Sequence, residues 1–210
     1  MNILAMETGI GGGSLSVFNE GKLVDFRIGN NHFGRTEFFS SSIAEILTEN
    51  RLERSDLKQI VYSETPGSQT GLKIGASLAK GLGLALRIPT KPKDLYTSVF
   101  ESINREGLQG VRIILPFSRT GFEWKVFDSA GNCIRFGQAG FDGSRSGDIN
   151  FLSDKKLMQT YIPLGLFRER EAVRRFFGPE WKEALVDLGE NLSSYLGLGE
   201  YARFKKTLDK

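Results

Sequence analysis

The stretch "SETPGSQTGLKIGASLAKGLGLAL", Ser63–Leu86, reads as a strand end, a turn and one long helix, with glycine or alanine at 71, 75, 79 and 83. Glycine inside a helix costs about 0.5–1 kcal/mol against alanine. Several at a four-residue spacing imply that something comes close to bare backbone. Setting Gly71 at 0° and advancing 100° per residue brings Gly75, Ile74, Leu78, Leu82, Ala85 and Leu86 within roughly 60° of one line, the expected core face. Leu72, Ala76, Ala79 and Gly83 fall on an adjoining small-residue face, and Lys73, Ser77 and Lys80 form a narrow polar side. An apolar arc of about 220° exceeds what one packing surface needs. The second face therefore calls for a cover: the chain's own preceding helix, another subunit, or both.

Outward from this helix, "KQIVYS" (58–63) reads as the strand that feeds it. Upstream, "NILAME" (2–7) is a buried-strand run, and "SLSVFNEGKLVDFRI" (14–28) reads as two strands around a turn at Asn19-Glu20-Gly21. "RTEFFSSSIAEILTEN" places Phe39, Ile43, Ile46 and Leu47 on one face of a helix, with Thr36 as the expected N-cap. Downstream, Pro89 and Pro92 end the glycine helix, and "KDLYTSVFESINRE" reads as another. The first half is thus βββαβα with a further helix. The second half restarts with "GVRIILPF", "EWKVFDSAG" and "NCIRFGQ" as strands. A strand at 149–152 and helices at 167–177 and 179–195 follow. We expect two subdomains, 1–105 and 106–210, each opening with a meander.

Composition narrows the chemistry. The 210 residues are 40% hydrophobic and 25% charged, a globular balance, and the net charge of +3 is too small to argue for nucleic acid. Arg168, Arg170, Arg174 and Arg175 read as a solvated helix face. A lone cysteine, Cys133, excludes an internal disulfide and is expected as a packed small hydrophobe; a reducing, cytoplasmic setting fits. The single histidine, His32, sits in a loop and rules out a metal site with two histidine ligands. No long apolar run suggests a membrane span.

Two loops invite a phosphate reading. "ETGIGGGS" sets Glu7 and Thr8 before Gly11, Gly12 and Gly13, where amides could cradle an anion and the carboxylate could hold magnesium; a plain hairpin loop is the alternative. It lacks the lysine of a P-loop. "SETPGSQTG" supplies Ser68, Thr70 and Gly71 at a helix start, where capping and anion binding are equally compatible with the residues.

"PGSQTGLKIGASLAKGLGLALRIP" resembles the P-G-S-[FY]-T-G-L-R-[IV]-G…A-K-G-L…A…[IV]-P segment of the TsaB family. "ILAMETGIGGGSLSVF" and "SDLKQIVYSETPGS" are similar to that family's other N-terminal motifs, with Glu7 where the family carries aspartate. In the second half "LPFSRTGFEWKVF" keeps Arg119 and Glu123 of a further motif. The resemblance implies an α/β, actin-like ATPase fold of the sugar kinase, Hsp70 and RNase H-like type, with two subdomains of mixed sheet flanked by helices. It also implies a non-catalytic subunit that supports a TsaD-like catalytic partner in forming N6-threonylcarbamoyladenosine on tRNA, alongside a TsaE-like ATPase, touching tRNA only indirectly. The implied partner surface, for TsaD or for a second copy, is the pair of helices 36–49 and 70–86. From the first come Phe38 and Ser42; from the second, Leu72, Lys73, Ala76, Ala79, Lys80 and Gly83. Glu7, Thr8, Gly11–Gly13, Ser68, Thr70 and Gly71 would be a vestigial nucleotide site, taking ATP or ADP with magnesium only weakly at a subunit interface, and no cofactor or catalytic residue is expected. The alternative is an ATP-binding kinase or ATPase of the same fold built on Glu7 and the glycine-rich loops.

Overall fold

A computed structural model describes residues 1–29, 35–103, 107–117, 121–140, 145–146, 158–163, 166 and 185–197. His32, Arg119, the arginines at 168–175 and the strand and helix expected at 149–152 and 167–177 lie outside them.

The chain forms two compact units, residues 1–102 with 191–210, and residues 103–190. The expected second subdomain, running to 210, is corrected at its C-terminal end. Described residues 191–197 belong to the first unit, where the Ser193 N–H donates to Ser14 Oγ at 2.9 Å. Asn191 Oδ1 accepts from Ser16 Oγ at 2.9 Å.

The first unit opens as read. Strands β1 (Asn2–Glu7), β2 (Ser14–Asn19) and β3 (Lys22–Ile28) form an antiparallel meander. Its second turn is the two-residue Glu20-Gly21, with φ 48° and 77° as a twisted hairpin demands. Helix α1 (Arg35–Glu49) follows; Thr36 lies inside its first turn rather than capping it. Strand β4 (Leu57–Thr65) pairs parallel to β1, and helix α2 (Gln69–Leu86) leads to β5 (Thr90–Asp94), parallel to β4. The short helix α3 (Leu95–Ser102) has its start tied down by Asp94 Oδ1, which accepts the Thr97 N–H at 2.8 Å. The sheet order is β3-β2-β1-β4-β5. Strand β5 was not expected, because Pro92 argues against a strand; as the outermost strand it tolerates a residue with no N–H to give.

One face of this sheet, with Leu4, Met6, Leu15, Val17, Leu57, Ile60 and Tyr62, buries Phe39, Ile43, Ile46 and Leu47 of α1 and Ala79 of α2. The opposite face carries Ser14, Ser16 and Phe18 against 191–197, where Gly197 leaves no room for a Cβ beside the Phe18 ring.

The second unit repeats the plan. Strands β6 (Gly110–Pro116), β7 (Gly121–Asp128) and β8 (Cys133–Gly140) form a meander. The strands β10 (Met158–Ile162) and β11 (Leu185–Asp187) add in parallel, and β9 (Arg145–Ser146) adds at the β8 edge. The order β11-β10-β6-β7-β8-β9 matches the first sheet with one strand more. Residues 185–187 correct the helix expected at 179–195: three residues pair along β10 at Thr160–Ile162, and Gly189 turns the chain with φ 69°. Cys133 is also corrected. It is exposed at the start of β8.

Candidate functional site

The two glycine-bearing loops are brought together at the carboxyl ends of β1 and β4. Gly9 abuts Pro66 and Gly67 so closely that a Cβ on Gly9 would stand 2.8 Å from the Pro66 carbonyl oxygen. The Ser68 N–H donates to the Gly9 carbonyl at 2.8 Å. Behind this contact Glu7 is 1% exposed. Its Oε1 accepts the N–H groups of Gly9 at 2.6 Å and Ile10 at 3.0 Å, and the Ser63 hydroxyl at 3.5 Å. Ser63 Oγ in turn accepts the Thr8 N–H at 3.2 Å.

These bonds define the chemistry of the loop. A carboxylate holding two backbone amides is a strong, charge-assisted turn stabiliser. The Gly13 N–H is likewise spent, on the Ile10 carbonyl at 3.0 Å. Thr8, Gly12 and Gly13 are buried, and Gly11 is half-buried. The N–H groups of Thr8, Gly9, Ile10 and Gly13 and one oxygen of Glu7 are thus engaged within the protein, an arrangement that fits a structural turn. Among the described residues no three His, Cys, Asp or Glu side chains gather as a metal site requires.

At the second loop Ser68 caps α2, its Oγ accepting the Gly71 N–H at 3.1 Å, while Thr70 lies exposed inside the helix. The helix that follows rotates the expected core face toward Ala79 and Gly83, while Leu78, Leu82 and Leu86 still pack against the core. Gly71, Gly75, Ala79 and Gly83 are its buried residues. Ile74, Leu78, Leu82 and Leu86 are half-buried flanks, and Ala85 is exposed. A Cβ on Gly75 would overlap Thr8 Oγ1, and one on Gly83 would overlap the Thr90 methyl group. The small stripe therefore exists so that α2 can lie almost directly on the sheet. Large aliphatic residues on that line would lift it off.

Three of the expected partner-facing residues are corrected by this arrangement. Ala79, 0% exposed, and Gly83 are covered by the chain's own sheet, and Ser42, 5% exposed, is buried on α1. Phe38, Leu72 and Ala76 are half-buried, and Lys73 and Lys80 are exposed. The outward side of α2 also presents Ser77, Gly81 and Leu84, which the sequence reading did not select. Leu84 is 83% exposed. Its signal was present in the sequence: it falls between Lys73 and Ser77 on the wheel, an apolar side chain within the polar arc. In the second unit Glu123 Oε2 accepts from Gln138 Nε2 at 3.0 Å. Among the described residues no helix is long and apolar enough to cross a membrane.

The TsaD family model, described as tRNA N6-adenosine threonylcarbamoyltransferase, matches residues 35–92, the run from α1 through β5. The chain is 31% identical over 94 residues to the tRNA threonylcarbamoyladenosine biosynthesis protein TsaB of Escherichia coli K12, a match covering 42% of this chain and 38% of that one. It is 30% identical over 126 residues to TsaB of Buchnera aphidicola subsp. Baizongia pistaciae, covering 58% of this chain and 56% of that one. The matches thus span about half or less of the relatives' lengths. Among solved structures, YeaZ from Pseudomonas aeruginosa superposes with a TM-score of 0.62 at 18% identity, over 98% of this chain and 95% of that one. This likeness and the repeated sheet order establish an α/β, actin-like fold. Over the matched segments the chain is thus similar to TsaB proteins, and its fold is that of YeaZ.

Proposed function

We propose that this chain is a non-catalytic subunit in the formation of threonylcarbamoyladenosine on tRNA, docking a TsaD-type catalytic subunit through the outward side of α1 and α2. The observation that carries the reading is the outer face of α2. Exposed Lys73, Ser77, Lys80, Gly81 and Ala85 surround Leu84, the one large apolar group exposed on this helix. A single apolar anchor ringed by small and cationic residues suits a helix-to-helix contact. The Glu7 turn is compatible with this role, since one carboxylate oxygen and the Gly9 and Ile10 amides are engaged with each other. The TsaE-type ATPase and the tRNA reach the chain through the catalytic subunit.

Leu84→Glu and Ser77→Arg change only exposed positions, so the thermal midpoint stays within about 2 °C. Co-purification with a TsaD-type subunit falls at least tenfold. Full capture by both variants would remove the docking reading, and a second copy of the chain on this face would appear instead as a sedimenting dimer lost in the same variants. Calorimetry with ATP and magnesium should give no saturable heat; tight binding with turnover would overturn the non-catalytic assignment.

A further inference from the structure

Strand β3 is the outermost strand of the first sheet, and it is apolar on its exposed surface: Leu23, Val24, Phe26 and Ile28 are 40–43% exposed. A strand edge of this composition is a template for pairing with another chain. The Gly29 N–H donates to the Gly13 carbonyl at 2.8 Å, which fixes the alternation of the ladder. Arg27 and Asp25 then turn their backbone groups toward β2, and Phe26 turns its own N–H and C=O outward.

Both outward groups are already taken. Asp25 Oδ1 accepts the Phe26 N–H at 2.7 Å, and Arg27 Nη1 donates to the Phe26 carbonyl at 2.8 Å. The two side chains are joined to each other at 2.8 Å. They are also anchored from α1: Arg27 Nη2 pairs with Glu49, and Asn50 Nδ2 donates to Asp25 Oδ2 at 2.8 Å. A register shift between Val17 and Phe18 distorts the same edge further.

We propose that Asp25 and Arg27 form a clasp over Phe26 that blocks strand addition at the middle of the outer edge of the first sheet. The clasp lets β3 keep an apolar surface without becoming adhesive along its backbone, and it confines self-association to side-chain surfaces elsewhere.

The test compares the full-length wild type with D25A/R27A. Amide exchange at Phe26 should accelerate about five- to tenfold, the loss of one local hydrogen bond. Sedimentation velocity over a concentration series should show association of the variant above the wild-type level, and Val24→Lys added to it should reverse that. E49A/N50A keeps the Asp25–Phe26–Arg27 contacts and should neither speed Phe26 exchange comparably nor associate. Unchanged Phe26 exchange in a folded D25A/R27A, or association no greater than wild type, would overturn the proposal. If the double variant does not fold, D25A uncovers the N–H and R27A the carbonyl separately, and the same two readings apply to each.

Discussion

Helices α1 and α2 cover the same face of one sheet by opposite means. Helix α1 reaches the sheet with large side chains, Phe39, Ile43, Ile46 and Leu47, so its backbone stands off and its C-terminal end is tied to β3 by Glu49 and the adjacent Asn50. Helix α2 reaches it with Gly71, Gly75, Ala79 and Gly83, backbone against strands, and keeps its large aliphatics at the sides. The first contact is sensitive to what is removed, the second to what is added. Any surface offered to a partner must then be sought on the far side of α2, not along its small residues.

The comparison can be broken at several points. Gly75→Val should cost the most, outright loss of the folded baseline in urea unfolding, because the new side chain overlaps Thr8; a variant as stable as wild type would show that α2 can lift away. Phe39→Ala, at a fully buried position on α1, should cost about 3–5 kcal/mol in the same assay. Gly81→Ala lies on the outer side of α2 with nothing within 4 Å of the added methyl. It should stabilise by about 0.5–1 kcal/mol, the opposite sign to Gly75 in the same helix. The smallest effect concerns the tie at the end of α1. Burial pushes the Asp25 carboxyl up, but hydrogen bonds from Asn50, Arg27 and the Phe26 N–H outweigh it and hold the group below the ordinary carboxylate value. A depressed folded value means the contribution is complete above pH about 4 and is lost as pH falls through the folded titration. The gap in thermal midpoint between wild type and Asp25→Ala should therefore be constant near neutrality and close in acid.

Much of this was legible. The meander, the Glu20-Gly21 turn and both long helices follow from two periodicities and a few turn residues. What escaped were features set by neighbours. The Met158–Ile162 and Leu185–Asp187 strands are short parallel pieces that exist because β6 and then β10 are there to pair with. The wheel centred the core face between Gly71 and Leu78; the observed face is turned toward Ala79 and Gly83, with Leu78 and Leu82 packed at its edge, because the helix-to-sheet distance selects by size. The turn made by Glu7 was hidden because a glycine loop conceals which amides its carboxylate holds. Arg119 and His32 lie beyond the described residues.

The contact of Gly9 with Gly67 and Ser68 also has a meaning for how the chain reaches this state. It joins the end of β1 to the start of α2, with the meander, α1 and β4 between them, so no local segment can form it. The ends of a long intervening chain must be brought together to close these two loops, which carries a loop-closure entropy cost. A nascent chain ending after α1 would carry the ETGIGGGS loop without the wall that shapes it. The Glu7 turn can then serve as a reporter of completed β1–β4 pairing.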